Sequence, residues 1–164
     1  MPGNDTVPSG VRRGPQGNVH DLQEESVNKG PIIVIVEEAC LSRNVLVKAL
    51  RTWGFDCAVA ESEETAWSAL RAAAAPRVVL ADWHADFLDC EEFFGRLRSD
   101  ESLRDAFVMG GVPRGAVGAI RACITAGADD YVSRPYDLDD VRLRLHNASK
   151  MMGLSPRDPV FPEE

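Results

Sequence analysis

An α/β fold, built on a doubly wound five-stranded parallel sheet, is what this sequence predicts, and three observations predict it. Strand-like and helix-like segments alternate along the chain through five β–α pairs, an order that implies a parallel sheet with right-handed crossovers and helices on both faces. The best strand candidates are continuous apolar, β-branched-rich runs rather than alternating ones, as in strands covered on both faces. Charged residues stand immediately after the first, third and fifth of these runs, and open parallel sheets place their ligand sites outside the carboxyl ends of the strands.

The elements follow in order. Ile32-Ile33-Val34-Ile35-Val36 is the first strand. Leu46, Ala49, Leu50 and Trp53 recur at helical spacing, and Gly54 supplies the C-terminal stop. Phe55 to Ala60 reads as the second strand, and Glu63 to Ala75 as an Ala-rich helix ended by Pro76. Arg77 to Ala81 is a third, buried strand. Glu91 to Arg98 is helical, with Phe93, Phe94 and Leu97 on one face. Ala106 to Met109 reads as a short, weak strand. Ala116, Ile120, Cys123 and Ile124 form a helical stripe stopped by Gly127. Tyr131-Val132-Ser133 is the last strand. Asp137 then caps a helix carrying Leu138, Val141 and Leu145, its first-turn acids favoured by the helix dipole. Trp53 and Trp67 read as helix-face packing.

Residues 1–30 are rich in Gly, Pro, Asn, Asp, Ser and Gln, with almost no periodic apolar positions. Such a segment buries too little surface to offset its ordering entropy and reads as a disordered tail. Residues 153–164, with three prolines, read as a second tail, leaving a folded region over 31–152. The chain is 164 residues long with 18 Lys+Arg against 26 Asp+Glu, a net charge of −8. A chain of that length makes one domain, and that charge disfavours direct binding to nucleic acid. The longest apolar run, Pro31 to Val36, is far short of the ~18–20 residues a membrane span needs, and the start of the sequence carries no signal-peptide pattern. The four cysteines (Cys40, Cys57, Cys90 and Cys123) are scattered with no CxxC pair, which reads as reduced thiols in a cytoplasmic protein. No G-x-G-x-x-G or G-x-x-x-x-G-K-[ST] phosphate loop is present, against nucleotide chemistry.

Glu37 and Glu38 follow the first strand, Asp82 the third, and Arg134-Pro135 the fifth. Singly, each has a bland reading as a solvated rim or turn residue. Together, three carboxylates and a cation converge on one rim of the sheet. Clustered carboxylates repel unless a cation sits among them. Hard oxygen ligands of this kind suit Mg²⁺, and a carboxylate beside such a cation is a nucleophile for a phosphoryl group.

In this joint placement the chain resembles the receiver domain of two-component response regulators, a flavodoxin-like (α/β)5 fold. Ile33-Val34-Ile35-Val36-Glu37-Glu38 resembles the family's first strand and acidic pair, and Leu41 to Leu46 the opening of its first helix. Val78 to Trp83, with Phe87-Leu88-Asp89, resembles the phosphoacceptor strand and loop. Ala126 to Tyr136 resembles the fifth-strand region and is the most specific match. The resemblance implies that Asp82 is the phosphoacceptor. It implies that Glu37, Glu38, Asp82 and the backbone carbonyl of His84 hold Mg²⁺, and that Arg134 contacts the phosphoryl group. Tyr131 takes the place of the aromatic that changes rotamer on activation, and the Arg134–Pro135 bond is expected to be cis.

The pattern is broken in three places. The acidic pair is Glu-Glu where Asp-Asp is usual, and each Glu is one methylene longer, which displaces a metal or empties its site. The fifth-strand cation is Arg134 where Lys is usual; Arg keeps the charge but forks to two oxygens, and it is able to pair with Asp82 permanently. Family members carry Ser or Thr at the end of the fourth strand, whereas here a gapless count reaches Val112, the switch position, and a one-residue shift reaches Gly111. No Ser or Thr occurs from Leu103 to Ile124, and Gly110-Gly111 adds backbone freedom. Cys90, where Gly is common, and Ala85-Asp86, where Met-Pro is usual, complete the departures.

Two functional readings follow from the resemblance. One is a stand-alone receiver, phosphorylated on Asp82 by a histidine kinase or phosphotransfer protein and signalling through protein contacts. The other is a pseudo-receiver, a phosphorylation-independent interaction module. A small α/β phosphatase is a remote third, because it needs a second acid two residues past the nucleophile and position 84 is His. The domain itself is not expected to be an enzyme. After Met152 only a short Pro-rich stretch remains, so the expected output is a protein partner. Its expected docking face is the fourth helix, fifth strand and fifth helix, including Arg121, Tyr131, Arg142 and Arg144.

Overall fold

The computed structural model describes residues 31–74 and 76–154. The segment 1–30 and most of the C-terminal segment, read above as tails, lie outside the described residues. Five strands alternate with five helices: β1 (Ile32–Val36), α1 (Leu41–Thr52), β2 (Asp56–Ala60), α2 (Glu63–Ala72), β3 (Arg77–Asp82), α3 (Cys90–Ser99), β4 (Phe107–Pro113), α4 (Val117–Ala126), β5 (Asp130–Arg134) and α5 (Leu138–Met151). The sheet order is β2-β1-β3-β4-β5, and every pairing is parallel. This is the doubly wound architecture the alternating pattern predicts.

Period-two alternation divides the strands between two cores. Ile33 and Ile35, Val78 and Leu80, Phe107 and Met109, and Val132 face Leu46 and Leu50 of α1 and Val141 and Leu145 of α5. Val34 and Val36, Val79 and Ala81, and Val108 and Val112 face Trp67 and Leu70 of α2, Phe93, Phe94 and Leu97 of α3, and Cys123 of α4. Trp67 lies on Phe93 with ring centroids 4.8 Å apart, and half-buried Trp53 packs beside α1 and α5. Both tryptophans therefore pack as expected.

Local chemistry sets the helix ends. Ser62 and Thr65 form a reciprocal capping box at the start of α2. Asp89 caps α3, and Asp137 accepts from the backbone of Asp139 and Asp140 at the start of α5. Gly54 and Gly127 adopt φ of 86° and 125° after α1 and α4, conformations that favour glycine.

Three sequence expectations are corrected. The helix drawn to Ala75 ends at Ala72, because Ala73 turns to extended backbone before Pro76 is reached. The weak strand at Ala106–Met109 is a seven-residue strand running through Gly110 and Gly111 to Pro113. Those glycines do not interrupt it; neighbouring side chains lie close over them. The stripe on α4 is buried only at Cys123, and Ile124 is 43% exposed, since α4 covers the sheet near its edge.

Two predictions follow from this packing. A Cβ at Gly110 falls 2.2 Å from the buried Cys123 Sγ, so Gly110→Ala is expected to cost about 1–3 kcal/mol by overpacking. Cys123→Ala vacates that space, so in chemical denaturation the double variant loses less stability than the two single losses combined; simple additivity refutes the contact. Burial raises the thiols of Cys57 and Cys123 to about 11 and that of Cys90 to about 12. At pH 8 a thiol of that kind is only about 10⁻⁴ to 10⁻³ ionised, so Cys57, Cys90 and Cys123 are expected to be alkylated slowly in the native protein and quickly once it is unfolded. Peptide mapping that shows equal labelling of these three before and after unfolding contradicts this.

Candidate functional site

The alternation that builds the two cores also builds a pocket. Glu37 continues the parity of Ile33 and Ile35, Asp82 that of Val78 and Leu80, Gly111 that of Phe107 and Met109, and Arg134 that of Val132. All four emerge at the carboxyl ends of their strands on the α1/α5 side of the sheet. The register sets Asp82 beside Gly111, and the Trp83 N–H donates to the Gly111 carbonyl at 3.0 Å.

Arg134 bridges the acids. Its Nη1 donates to Asp82 Oδ2 at 2.6 Å, and its Nη2 pairs with Glu37 Oε1. Glu37 is 1% exposed, whereas the Asp82 and Arg134 side chains keep 17% and 21% of their surface. The Tyr136 hydroxyl donates to Glu37 Oε2 at 3.0 Å, and the Cys40 thiol lies 3.6 Å from Oε1. The Arg134 guanidinium also lies over the Tyr136 ring, 5.1 Å from its centroid, a cation–π geometry. Burial pushes the Glu37 carboxyl above its ordinary value; the Arg134 charge and the Tyr136 hydrogen bond pull it back, and the Asp82 charge adds to the rise. Burial pushes the Tyr136 hydroxyl well above the ordinary tyrosine range, and the Glu37 charge adds to it.

The remaining predicted residues divide. Glu38 is exposed and turns to the loop, where its Oε1 accepts from the Asp86 N–H at 3.1 Å. His84 is exposed, and its N–H donates to Asp82 Oδ1 at 3.1 Å. Cys90 lies beneath the loop with its thiol 3.2 Å from the Asp82 carbonyl. Val112 lies in the core under α2, α3 and α4, and the strand-end position facing Arg134 is Gly111. Tyr131 is half-buried under the Arg144 guanidinium, 4.9 Å away, while Arg144 pairs with Asp130 and Asp140. Arg142 departs from the expected docking face: it stacks over Trp53 at 5.2 Å, on the α1 side of α5. The Arg134–Pro135 bond is cis.

The acidic set does not fit Mg²⁺ in this arrangement. Among the described residues no three His, Cys, Asp or Glu side chains are gathered to hold a metal ion. Glu37 and Asp82 direct oxygens at one guanidinium, and Glu38 is occupied by the loop. Sequence reasoning did not assign Tyr136 or Cys40 a role. Tyr136 was visible as an aromatic just past the fifth-strand cation, but nothing in its spacing shows that its hydroxyl reaches back to β1. The parity of β4 does point to Gly111, once the strand is known to run through both glycines.

Comparison with known proteins supplies the rest. No family model matches the chain. It is 27% identical over 135 residues to the phosphate regulon transcriptional regulatory protein PhoB of Pseudomonas aeruginosa, covering 82% of this chain and 58% of that protein. The chain thus spans little more than half the length of that relative. Among solved structures, it matches the receiver domain of the sensor histidine kinase PA1611 of Pseudomonas aeruginosa, described with a magnesium ion coordinated in its active-site cleft. That match has a TM-score of 0.60 and 22% identity over 72% of this chain and 96% of that one. It also matches a chain of the Saccharomyces cerevisiae co-crystal of the phosphotransfer protein Ypd1 with the receiver domain of Ssk1. Here the TM-score is 0.68 and the identity 16%, over 80% of this chain and 97% of that one. No helix among the described residues is long and apolar enough to cross a membrane. Fold, strand-end chemistry and these likenesses together give the folded region the CheY-like fold of response-regulator receiver domains, to which it is similar, with an atypical acidic pocket.

Proposed function

We propose that this receiver domain accepts a phosphoryl group on Asp82 and passes the change to a protein partner through its surface. The observation that carries the reading is the position of Asp82. It ends β3 at the rim of the pocket, with a guanidinium 2.6 Å from one oxygen and the His84 N–H 3.1 Å from the other. In the transfer, an Asp82 carboxylate oxygen attacks the donor phosphorus, the bond from phosphorus to the donor's imidazole nitrogen breaks with the electron pair staying on that nitrogen, and an acyl phosphate results. Arg134 neutralises charge on the transferring group. The donor is a phosphohistidine on a kinase or phosphotransfer protein, in line with the partner held by the Ssk1 receiver. The output face is built from α4, β5 and α5, with Arg121 exposed and Tyr131 beneath Arg144. The setting we propose is the cytoplasm, and the partner a protein rather than nucleic acid or a membrane.

A second reading, a phosphorylation-independent interaction module, is favoured by one specific observation. Arg134 already occupies both inner carboxylates, and no hydroxyl stands at the end of β4 to bond a phosphoryl group. Incubation with acetyl phosphate separates the two. Intact-mass spectrometry is expected to show one phosphoryl adduct on the unmodified chain and none on Asp82→Asn. Absence of an adduct at saturating donor, with a cooperatively folded protein, selects the second reading.

A further inference from the structure

We propose that Arg134 is the resident cation of the acidic pocket and keeps divalent metal ions out of it. The inference rests on the receiver reading of residues 37, 82 and 134, but not on phosphorylation of Asp82. A divalent ion in an oxygen site needs carboxylate oxygens at about 2.0–2.1 Å in a near-octahedral set. The two oxygens best placed to supply them, Glu37 Oε1 and Asp82 Oδ2, both face the Arg134 guanidinium, one on each terminal nitrogen. A single planar group with two forked donors fills the space between the acids, and its fixed positive charge repels a second cation. The third acid is not in reserve, because the Glu38 carboxylate is turned to the Asp86 N–H.

The guanidinium is also held in place. Tyr136 lies under it and donates to the other oxygen of Glu37. A side chain at position 111 would crowd this arrangement: a Cβ there falls 2.8 Å from the Tyr136 Oη and 3.4 Å from the Arg134 Cδ. Glycine at 111, arginine at 134 and tyrosine at 136 therefore form one packed unit. A lysine at 134 would present one ammonium to one carboxylate at a time, freeing oxygen ligands on the other.

The test is direct titration with Mn²⁺ alone, following free ion by electron paramagnetic resonance. The natural chain is expected to show no saturable binding. Arg134→Lys is expected to bind saturably, at least about tenfold tighter than the weakest binding the titration can detect in the natural chain, with the gain lost in Arg134→Lys combined with Asp82→Asn. Arg134→Gln, which removes the charge but keeps an amide near Glu37, serves as the second opening variant if the lysine form is unstable. Saturable binding to the natural chain that is lost in Asp82→Asn overturns the proposal. So does the absence of binding in both opening variants when thermal unfolding shows them folded. Neither outcome depends on a phosphodonor, so a failed phosphorylation assay leaves this result standing.

Discussion

A carboxylate buried at the end of β1 governs the pocket. Glu37 is 1% exposed, and an ionised carboxylate taken out of water is costly unless it is paired and hydrogen-bonded. The surrounding residues meet that demand from three elements: Arg134 at the end of β5, Tyr136 just beyond it, and the Cys40 thiol at the N-cap of α1. Breaking one partner of such a buried pair typically costs about 3–5 kcal/mol. Arg134 therefore carries structural weight in addition to any role toward a phosphoryl group. Its second contact, with Asp82, ties the candidate phosphoacceptor to the same buried charge.

This coupling has a mechanical consequence. Asp82 ends β3 and Glu37 directly follows β1, two strands whose backbones are paired by the ladder. The adjustable part is the guanidinium between them. A group added to Asp82 draws Arg134 toward it and weakens the pairing at Glu37, or leaves Arg134 in place and finds less charge compensation. Either change begins at the end of β5, the strand that also carries Tyr131, under the Arg144 guanidinium, and Asp130, paired with the same arginine.

Most of the fold was legible because its strands are extreme in composition. Ile32–Val36 and Val78–Ala81 admit few readings other than strands buried on both faces, and strand-end residues of one parity, Glu37 and Asp82, converge on one side of the sheet, while Glu38, of the other parity, does not. What the sequence hid was governed by packing rather than propensity. Gly110 and Gly111 look like an interruption, yet both lie within β4 because Cys123 approaches one and Tyr136 the other. Ile124 fits a helical stripe, but α4 turns Ala119, Ile120, Cys123 and Ala126 to the core and leaves Ile124 outside it. Arg142 and Arg144 are two residues apart and so point to different sides of α5, one to Trp53 and the other to Tyr131. The identities of the pocket residues were visible; their pairing was not, because a count along the chain does not reveal which oxygen a guanidinium chooses.

Seen in three dimensions, two departures from the usual receiver pattern become one. In sequence, arginine at 134 and the missing hydroxyl at the end of β4 look independent. In the structure, the strand position facing the pocket is Gly111, and the volume a side chain would occupy there is taken by the Tyr136 hydroxyl and the Arg134 side chain. A larger cation and a smaller strand-end residue conserve the volume of the pocket, and volume-conserving exchanges are those a packed site tolerates. Restoring only one of them, a hydroxyl at 111 with arginine kept at 134, forces the tyrosine off Glu37 and leaves that buried carboxylate with one donor fewer. The residue at 111 and the cation at 134 are therefore coupled through the space they share: a side chain at 111 fits only where Tyr136 and the residue at 134 give way.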